Sequence, residues 1–346
     1  MKRSSIQHHH LLSRLHSSFG VTALAAFSFV GSLATPVRAE TPFDTDIKNN
    51  SLAVSPDEHL AAVSYSDERR VIVYDLQTGR TVKTLEGYVT PRNIVFAPDG
   101  KRLYVSDSSL GTVNVADASS FEIIARYPLG YGVFGTVLTP DGKTLYANNE
   151  AASTVTAVDT TDGSAKAVIP GFSQPRQGIR LSPAGTTAFV TNFLGDKITI
   201  VDLATHKPTG EITGFKALRA ISVSKDGQTL YAGNSGANEV AVVDLAKREI
   251  VTRIPVGKDP YGAALTPDGR YVYSGNKADN SLSVIDTGTR KVVATIPGFQ
   301  EPRQAIVFTK DGKTAYVLNK DLSIAVVDTA ARRIIKTLTP ESIQVH

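Results

Sequence analysis

The sequence contains no cysteine, no tryptophan and a single methionine in 346 residues. Without cysteine the chain has no disulfide, no thiolate zinc site, no iron–sulfur cluster and no covalently attached c-type haem. Hydrophobic residues still make up 41% of the chain, which is enough to build a large core. Stability therefore has to come from side-chain packing and from hydrogen bonds between strands.

Histidine is also scarce where chemistry would need it. Beyond residue 39 the chain has His59, His206 and His346, which fall on a predicted hairpin, a predicted outer turn and the C-terminal tail. None of these places suits a general base or a metal ligand. The sequence also lacks a phosphate-binding glycine loop and a Gly-x-Ser-x-Gly elbow. We therefore predict neither a cofactor nor a metal site.

The N-terminus has the pattern of a secretory signal peptide. Basic residues at positions 2, 3 and 14 precede an apolar run over residues 21–33, and Val37 and Ala39 stand three and one residues before a suitable cleavage point. We predict cleavage after Ala39, localisation in the periplasm, and a short leader over residues 40–46. An uncleaved membrane anchor is the alternative, although the apolar run is short for a span.

Charge gives no argument for a nucleic-acid or membrane partner. Residues 1–39 contain four basic and no acidic side chains, so the remaining chain has 33 basic and 33 acidic residues. The formal net charge of +4 therefore belongs to the predicted export signal. Any binding driven by charge has to be local.

Internal repetition dominates the chain after residue 47. An apolar segment ends in aspartate seven times, at a spacing of 42 or 43 residues: Asp75, Asp117, Asp159, Asp202, Asp244, Asp286 and Asp328. Hairpin turns such as Pro98-Asp99-Gly100 and Pro140-Asp141-Gly142 repeat in step with them. The two markers agree on seven copies over residues 47–340, followed by a tail over 341–346.

Each copy reads as four short strands, A to D, rich in Val, Ile, Tyr and Thr and bounded by turn residues. Strand C is almost continuously apolar, as in residues 240–243, so both of its faces have to be covered. The first and last copies lack the polar outer face of a terminal cap and should pack on each other. We predict an all-β fold, a single seven-bladed β-propeller with four antiparallel strands per blade and little strand exchange between the termini.

The ends of strand B carry a recognisable motif. They read Tyr104-Val105-Ser106-Asp107, Phe189-Val190-Thr191-Asn192 and Tyr231-Ala232-Gly233-Asn234. With the Pro-Asp-Gly turns, these residues resemble the YVTN repeat of the YncE-like family of periplasmic seven-bladed propellers. The resemblance implies the fold strongly and the function weakly, because propellers serve many activities. It suggests relatives that bind single-stranded DNA, act as lactonases or accompany periplasmic dehydrogenases.

The loops that join strand D to the next strand A share one face of a propeller around the central channel. Four of them end in arginine directly before strand A, at Arg92, Arg176, Arg219 and Arg303. Their guanidinium groups should converge at the channel mouth and could bind carboxylate or phosphate oxygens. The alternative is that each arginine bonds loop carbonyls or pairs with an acid such as Asp107, Glu150 or Glu301.

Phe134 and Tyr261 occupy the place of this arginine in two other blades and are candidates for stacking against a ligand. A further set of candidates ends strand B, where a turn-stabilising role competes with ligand binding: Asn149, Asn192, Asn234, Asn276 and Asn319. If the protein is an enzyme, Glu150 and Asp107 are the candidate catalytic residues.

These residues favour a non-catalytic binding or scaffold propeller whose channel mouth receives an anionic or aromatic ligand or a protein partner. Three alternatives stay open: single-stranded-DNA binding, a lactonase-like hydrolase, and an accessory to a periplasmic dehydrogenase. We expect a monomer without a membrane span in the mature chain.

Overall fold

The structure, a computed structural model, describes residues 47–340. In this range the chain forms seven four-stranded antiparallel sheets, and each sheet consists of four strands consecutive in sequence. The fold is therefore the predicted seven-bladed propeller. The predicted signal peptide with its cleavage point, the leader and the tail all lie outside the described residues.

The strands, four to a blade in chain order, are β1 (Asn50–Val54), β2 (Leu60–Tyr65), β3 (Val71–Asp75), β4 (Thr81–Leu85), β5 (Pro91–Phe96), β6 (Arg102–Asp107), β7 (Thr112–Asp117), β8 (Ile123–Pro128), β9 (Val133–Leu138), β10 (Thr144–Asn149), β11 (Thr154–Asp159), β12 (Ala165–Ile169), β13 (Pro175–Leu181), β14 (Thr187–Asn192), β15 (Lys197–Asp202), β16 (Lys207–Ile212), β17 (Leu218–Val223), β18 (Thr229–Asn234), β19 (Glu239–Asp244), β20 (Glu249–Pro255), β21 (Ala264–Leu265), β22 (Tyr271–Asn276), β23 (Ser281–Asp286), β24 (Lys291–Pro297), β25 (Ile306–Phe308), β26 (Thr314–Leu318), β27 (Ile324–Asp328) and β28 (Arg333–Leu338). Two single turns of 3₁₀-helix, Ser235–Ala237 and Lys277–Asp279, follow strand B in blades 5 and 6. No helix within residues 47–340 is long and apolar enough to cross a membrane.

Strand A of each blade is innermost, since neighbouring blades meet along β1, β5, β9, β13 and β17 around the axis. The third strand of each blade is buried on both faces, as its apolar sequence predicts, whereas the fourth alternates between buried and exposed residues. The core consists of separate hydrophobic clusters, each of which joins two adjacent blades. Packing between blades therefore fixes where the inner strands and their loops lie.

The ring closes between blades 1 and 7 without strand exchange. One cluster joins Leu52 and Tyr74 of blade 1 to Leu318 and Ile324 of blade 7. Within this cluster the hydroxyl of Tyr74 donates a hydrogen bond of 2.9 Å to the Leu322 carbonyl. Closure thus depends on side-chain packing across one seam, as the apolar ends of the repeat array predict.

Candidate functional site

A pocket of about 230 Å³ opens at the channel mouth, on the face that carries the loops between strand D and the next strand A. We call it the mouth pocket. Residues from blades 3 to 7 and the segment before β1 surround it: Ile47, Lys48, Asn49, Phe134, Arg176, Gln177, Gly178, Thr191, Phe193, Leu218, Arg219, Ala220, Tyr261 and Gln304. Three of these side chains are cationic and none is acidic. The wall thus combines positive charge with aromatic rings.

Arg219 lies between two of the rings. Its guanidinium carbon is 4.7 Å from the ring centroid of Tyr261 and 5.8 Å from that of Phe193. Its Nε is buried without a hydrogen-bond partner, and within residues 47–340 its side chain makes no ion pair. The aromatic faces attract the cation but leave its N–H groups without acceptors. Arg219 is consequently the lining residue best prepared to donate hydrogen bonds to a bound anion.

Arg176 is held more tightly. Its Nε donates a hydrogen bond of 2.6 Å to Glu150 Oε1, and its guanidinium carbon is 3.3 Å above the Phe193 ring centroid. The Glu150 side chain is only 4% exposed, against 19% for Arg176. Glu150 therefore positions Arg176 from behind and does not line the pocket itself.

Arg92 and Arg303 lie behind the pocket wall. Arg92 is fully buried; its Nε donates to Ser108 Oγ at 2.8 Å and its Nη1 to the Ile47 carbonyl at 2.6 Å. Arg303 is 4% exposed and donates to the Lys48 carbonyl. Their guanidinium groups lie 4.6 Å from the Phe134 ring centroid and 4.9 Å from that of Tyr261, respectively. These two arginines thus support the aromatic side chains that line the pocket.

The strand-B asparagines lie at the bases of the loops, and none of the five lines the mouth pocket. The side-chain oxygens of three of them accept hydrogen bonds from loop backbone: Ser173 N–H donates to Asn192 at 2.7 Å, Lys216 N–H to Asn234 at 2.6 Å and Gln300 N–H to Asn319 at 2.9 Å. Asn149 accepts from Ala152 N–H at 2.8 Å, and Asn276 donates to Ser281 and Ser283. Asp107 takes the same place in blade 2 and accepts from Val89 N–H at 2.7 Å. These residues fix the loop conformations around the pocket.

The structure therefore brings together Phe134, Arg176, Arg219 and Tyr261 of the sequence candidates, with Arg92, Arg303 and Glu150 directly behind them. Phe193 was not among the candidates, although it contacts both lining arginines. Its signal in the sequence is a departure from the repeat, because the residue after strand B is Ser, Glu or Lys in the other blades.

A chain of side-chain amides closes the bottom of the mouth pocket. Asn49 Nδ2 donates to Gln177 Oε1 at 3.0 Å, and Gln177 Nε2 donates to Asn93 Oδ1. On the other side Gln304 Nε2 donates to the Asn50 carbonyl at 2.7 Å. We call Asn49, Asn93, Gln177 and Gln304 the amide girdle. Three members of the girdle, Asn49, Gln177 and Gln304, line the mouth pocket.

Groups typical of catalysis or metal binding are distant from this pocket. His59 pairs with Asp57 on the first hairpin, and His206 lies 3.3 Å from the Tyr146 hydroxyl near an outer turn. Within residues 47–340 no group of three histidine, cysteine, aspartate or glutamate side chains is arranged to hold a metal ion. The chemistry of the pocket is that of hydrogen-bond donors and ring faces.

Comparison with known proteins agrees with the fold. Residues 51–295 match the family described as "Lactonase, 7-bladed beta-propeller". The chain belongs to this family. Among solved structures, this lactonase-family propeller is similar to Kuenenia stuttgartiensis hydrazine synthase, with a TM-score of 0.75 and 21% sequence identity over 84% of this chain and 98% of that one. At this identity the likeness shows the fold alone, and no curated protein matches the chain.

Proposed function

We propose that this lactonase-family propeller is a binding protein whose mouth pocket receives a compact ligand that carries both an anionic group and a planar ring. The observation that carries the proposal is Arg219, which lines the pocket between Phe193 and Tyr261 and has a buried Nε without a protein acceptor. A buried donor without a partner is costly, so an acceptor supplied by a ligand would stabilise this arrangement.

Shape and charge support the same ligand class. A pocket of about 230 Å³ is smaller than the roughly 300–1,000 Å³ typical of small-molecule sites, so it fits only a compact ligand. Lys48, Arg176 and Arg219 contribute positive charge, and the part of the wall formed by residues 47–340 contains no carboxylate. A planar carboxylate would accept hydrogen bonds from Arg219 while its ring lies against Phe193 or Tyr261.

Titration with benzoate tests the proposal. We expect Arg219→Gln to weaken benzoate binding by at least about tenfold, because a hydrogen bond to a charged group contributes roughly 1.5–3 kcal/mol. Arg80→Gln is the matched control, since Arg80 is exposed on an outer turn far from the pocket in sequence and fold. Isothermal titration calorimetry at constant ionic strength measures both. Equal affinities of Arg219→Gln and the unmodified protein would place the ligand elsewhere.

The family description favours a lactonase as the second candidate function. In that function Glu150 would act as the base and Arg176 would polarise the lactone carbonyl. The ion pair at 2.6 Å holds Glu150 behind the wall, which is why binding is our first proposal. If the protein hydrolysed gluconolactone faster than the background rate and Glu150→Gln abolished this activity, the lactonase would become the first candidate function and binding the second.

The finer resemblance to YncE-like propellers suggests export to the periplasm and, as a further alternative, binding of single-stranded DNA. Binding of DNA would fall steeply as salt increases, because phosphate contacts release counterions. Fluorescence polarisation with a labelled oligonucleotide at two salt concentrations distinguishes this alternative from the binding of a small ligand. A role beside a periplasmic dehydrogenase would instead appear as co-purification of that enzyme with the exported protein.

A further inference from the structure

A second cavity continues along the axis beyond the amide girdle. It has a volume of about 570 Å³, and the inner strands of most blades form its wall. Phe96, Pro98, Pro140 and Pro183 surround its outer end, so it opens on the face opposite the mouth pocket. We call this cavity the axial channel. Gln177 and Gln304 border both cavities and mark the boundary between them.

Among residues 47–340, Arg180 is the only charged residue in the wall of the axial channel. It pairs with Phe189 in the sheet of blade 4. The residues that pair with the corresponding strand-B position in the other six blades are all uncharged: Ala53, Val95, Val137, Ser222, Ala264 and Val307. Six blades have a small or apolar residue at this position, and only blade 4 has a cation. The difference indicates that the cation has a specific role in blade 4.

One edge of the Arg180 guanidinium has no protein acceptor. Nη1 donates a hydrogen bond of 2.8 Å to the carbonyl of Ile179, its own neighbour. Within residues 47–340 neither Nε nor Nη2 donates to the protein, and no carboxylate lines the channel. Nε–H and the adjacent Nη2–H point the same way and form a fork whose spacing matches two oxygens of one oxyanion.

The channel walls remove part of the hydration of this charge. Arg180 is accessible to solvent, but it is surrounded by the inner strands, and the resulting desolvation lowers the pKa of its guanidinium from the usual value. A partly desolvated cation without a counter-charge is stabilised when an anion enters beside it.

A second polar group of the same wall also lacks a partner. Asn50 lines the axial channel and is completely buried, and neither its side-chain nitrogen nor its side-chain oxygen makes a hydrogen bond to the described residues. Buried amides are normally satisfied. Asn50 therefore adds an unsatisfied amide to the wall of this channel.

We propose that the axial channel is a second ligand site, separate from the mouth pocket, in which Nε and Nη2 of Arg180 bind one oxyanion group, carboxylate or phosphate, in a bidentate manner. The site admits compact anions, because its remaining wall is uncharged and its polar groups are amides and hydroxyls. It does not depend on the proposed function, since Arg180 and Arg219 line different cavities.

Titration with inorganic phosphate and with acetate tests the second site. To reduce the contribution of the mouth pocket, the titrations use Arg219→Gln as the reference protein. We expect Arg219→Gln to bind one of the two anions with a stoichiometry of one, and Arg219→Gln/Arg180→Gln to bind it at least about tenfold more weakly. Arg219→Gln/Arg180→Lys keeps the charge without the fork and should also bind more weakly than the reference. Phosphate and acetate together show which oxyanion the channel accepts.

Unchanged affinity in the Arg180→Gln protein would overturn the proposal, as would the absence of binding of both anions to the reference. Equal binding by the Arg180→Lys protein would overturn the bidentate geometry. Gln at position 180 should not prevent folding, because the corresponding positions of the other blades are uncharged, and circular dichroism checks this. A crystal of the unmodified protein in selenate provides a test without any substitution: we expect anomalous density within hydrogen-bond distance of Arg180, and its absence would refute the site.

Discussion

At the scale of single residues, the mouth of this propeller alternates cations with ring faces. Arg176, Phe193, Arg219, Tyr261 and Arg303 follow one another around the pocket, with guanidinium-to-centroid distances from 3.3 to 5.8 Å. The rings separate like charges that would otherwise repel at close range. Among the described residues, Glu150 pairs with Arg176 and Glu301 lies 4.0 Å from Arg303.

Backbone contact between neighbouring inner strands holds these residues in place. A substitution at Gly135, where two inner strands approach closely, tests whether this contact controls the pocket. A methyl group at Gly135 would overlap the Gln177 carbonyl oxygen and lie 2.7 Å from that of Arg176. We expect Gly135→Ala to lower the stability by about 1–3 kcal/mol, as overpacked substitutions do, and to weaken benzoate binding because the segment at Arg176 has to move. Thermal unfolding and calorimetric titration measure the two effects.

Gly288→Ala is the control for this substitution. The nearest atom to its new methyl group would be Asp286 Oδ1 at 3.5 Å, an ordinary contact on an outer turn. We expect unchanged benzoate affinity. If Gly135→Ala bound benzoate as well as Gly288→Ala does, the close approach of the inner strands would not control the pocket.

At the scale of elements, each blade depends on turns that an aspartate organises. Asp117 ends β7 and accepts hydrogen bonds from the Ser119 hydroxyl and from the Ser119 and Ser120 backbone, which lower its pKa to about 2. In Asp159, hydrogen bonds from the Thr161 backbone and from Lys166 lower the pKa to about 2 as well. Both carboxylates are therefore more acidic in the folded chain than in an unfolded one.

The sign of this shift gives a prediction for acid stability. Because the folded pKa lies below the unfolded value of 3.8, the stabilisation by Asp117 is complete above that value and is lost as the pH falls through about 2. We expect Asp117→Asn to unfold at a lower temperature than the unmodified protein at pH 6, and the difference to shrink between pH 4 and pH 2. Melting temperatures across this range measure it. A difference that stays constant with pH would show that the charge does not contribute.

The repeated elements explain what the sequence could predict. Blade number and strand order follow from a pattern present seven times, so the copies support one another, whereas the arginine before strand A recurs in four blades. Features that occur once carry no such redundancy. Phe193 and Arg180 occur in one blade each. The register shift at the start of strand A recurs in β5, β9 and β17, but it is one residue larger in β13. Such details depend on packing between strands distant in sequence.

At the scale of the whole molecule, the ring has one seam where the chain does not continue from blade to blade. Blades 2 to 7 are each connected to the preceding blade by a short loop, but blades 1 and 7 meet through the Leu52, Tyr74, Leu318 and Ile324 cluster and a few hydrogen bonds. The mouth pocket uses residues on both sides of this seam, since Asn49 and Gln304 both line it. Opening of the seam would therefore disassemble the pocket.

Tyr74 allows this dependence to be measured. Its hydroxyl donates to the Leu322 carbonyl across the seam at 2.9 Å, and Tyr127 donates to the Thr160 carbonyl at the same distance between blades 2 and 3. Substitution of either tyrosine by phenylalanine removes one buried hydrogen bond and should lower the free energy of unfolding by about 1–2 kcal/mol. We expect Tyr74→Phe to increase amide hydrogen exchange in β1 and β27 and to weaken benzoate binding, because the seam has no covalent connection to limit opening. Tyr127→Phe should increase exchange only in blades 2 and 3 and leave the affinity unchanged. Equal exchange patterns in the two variants would mean that the seam is no weaker than the interfaces that the chain itself connects.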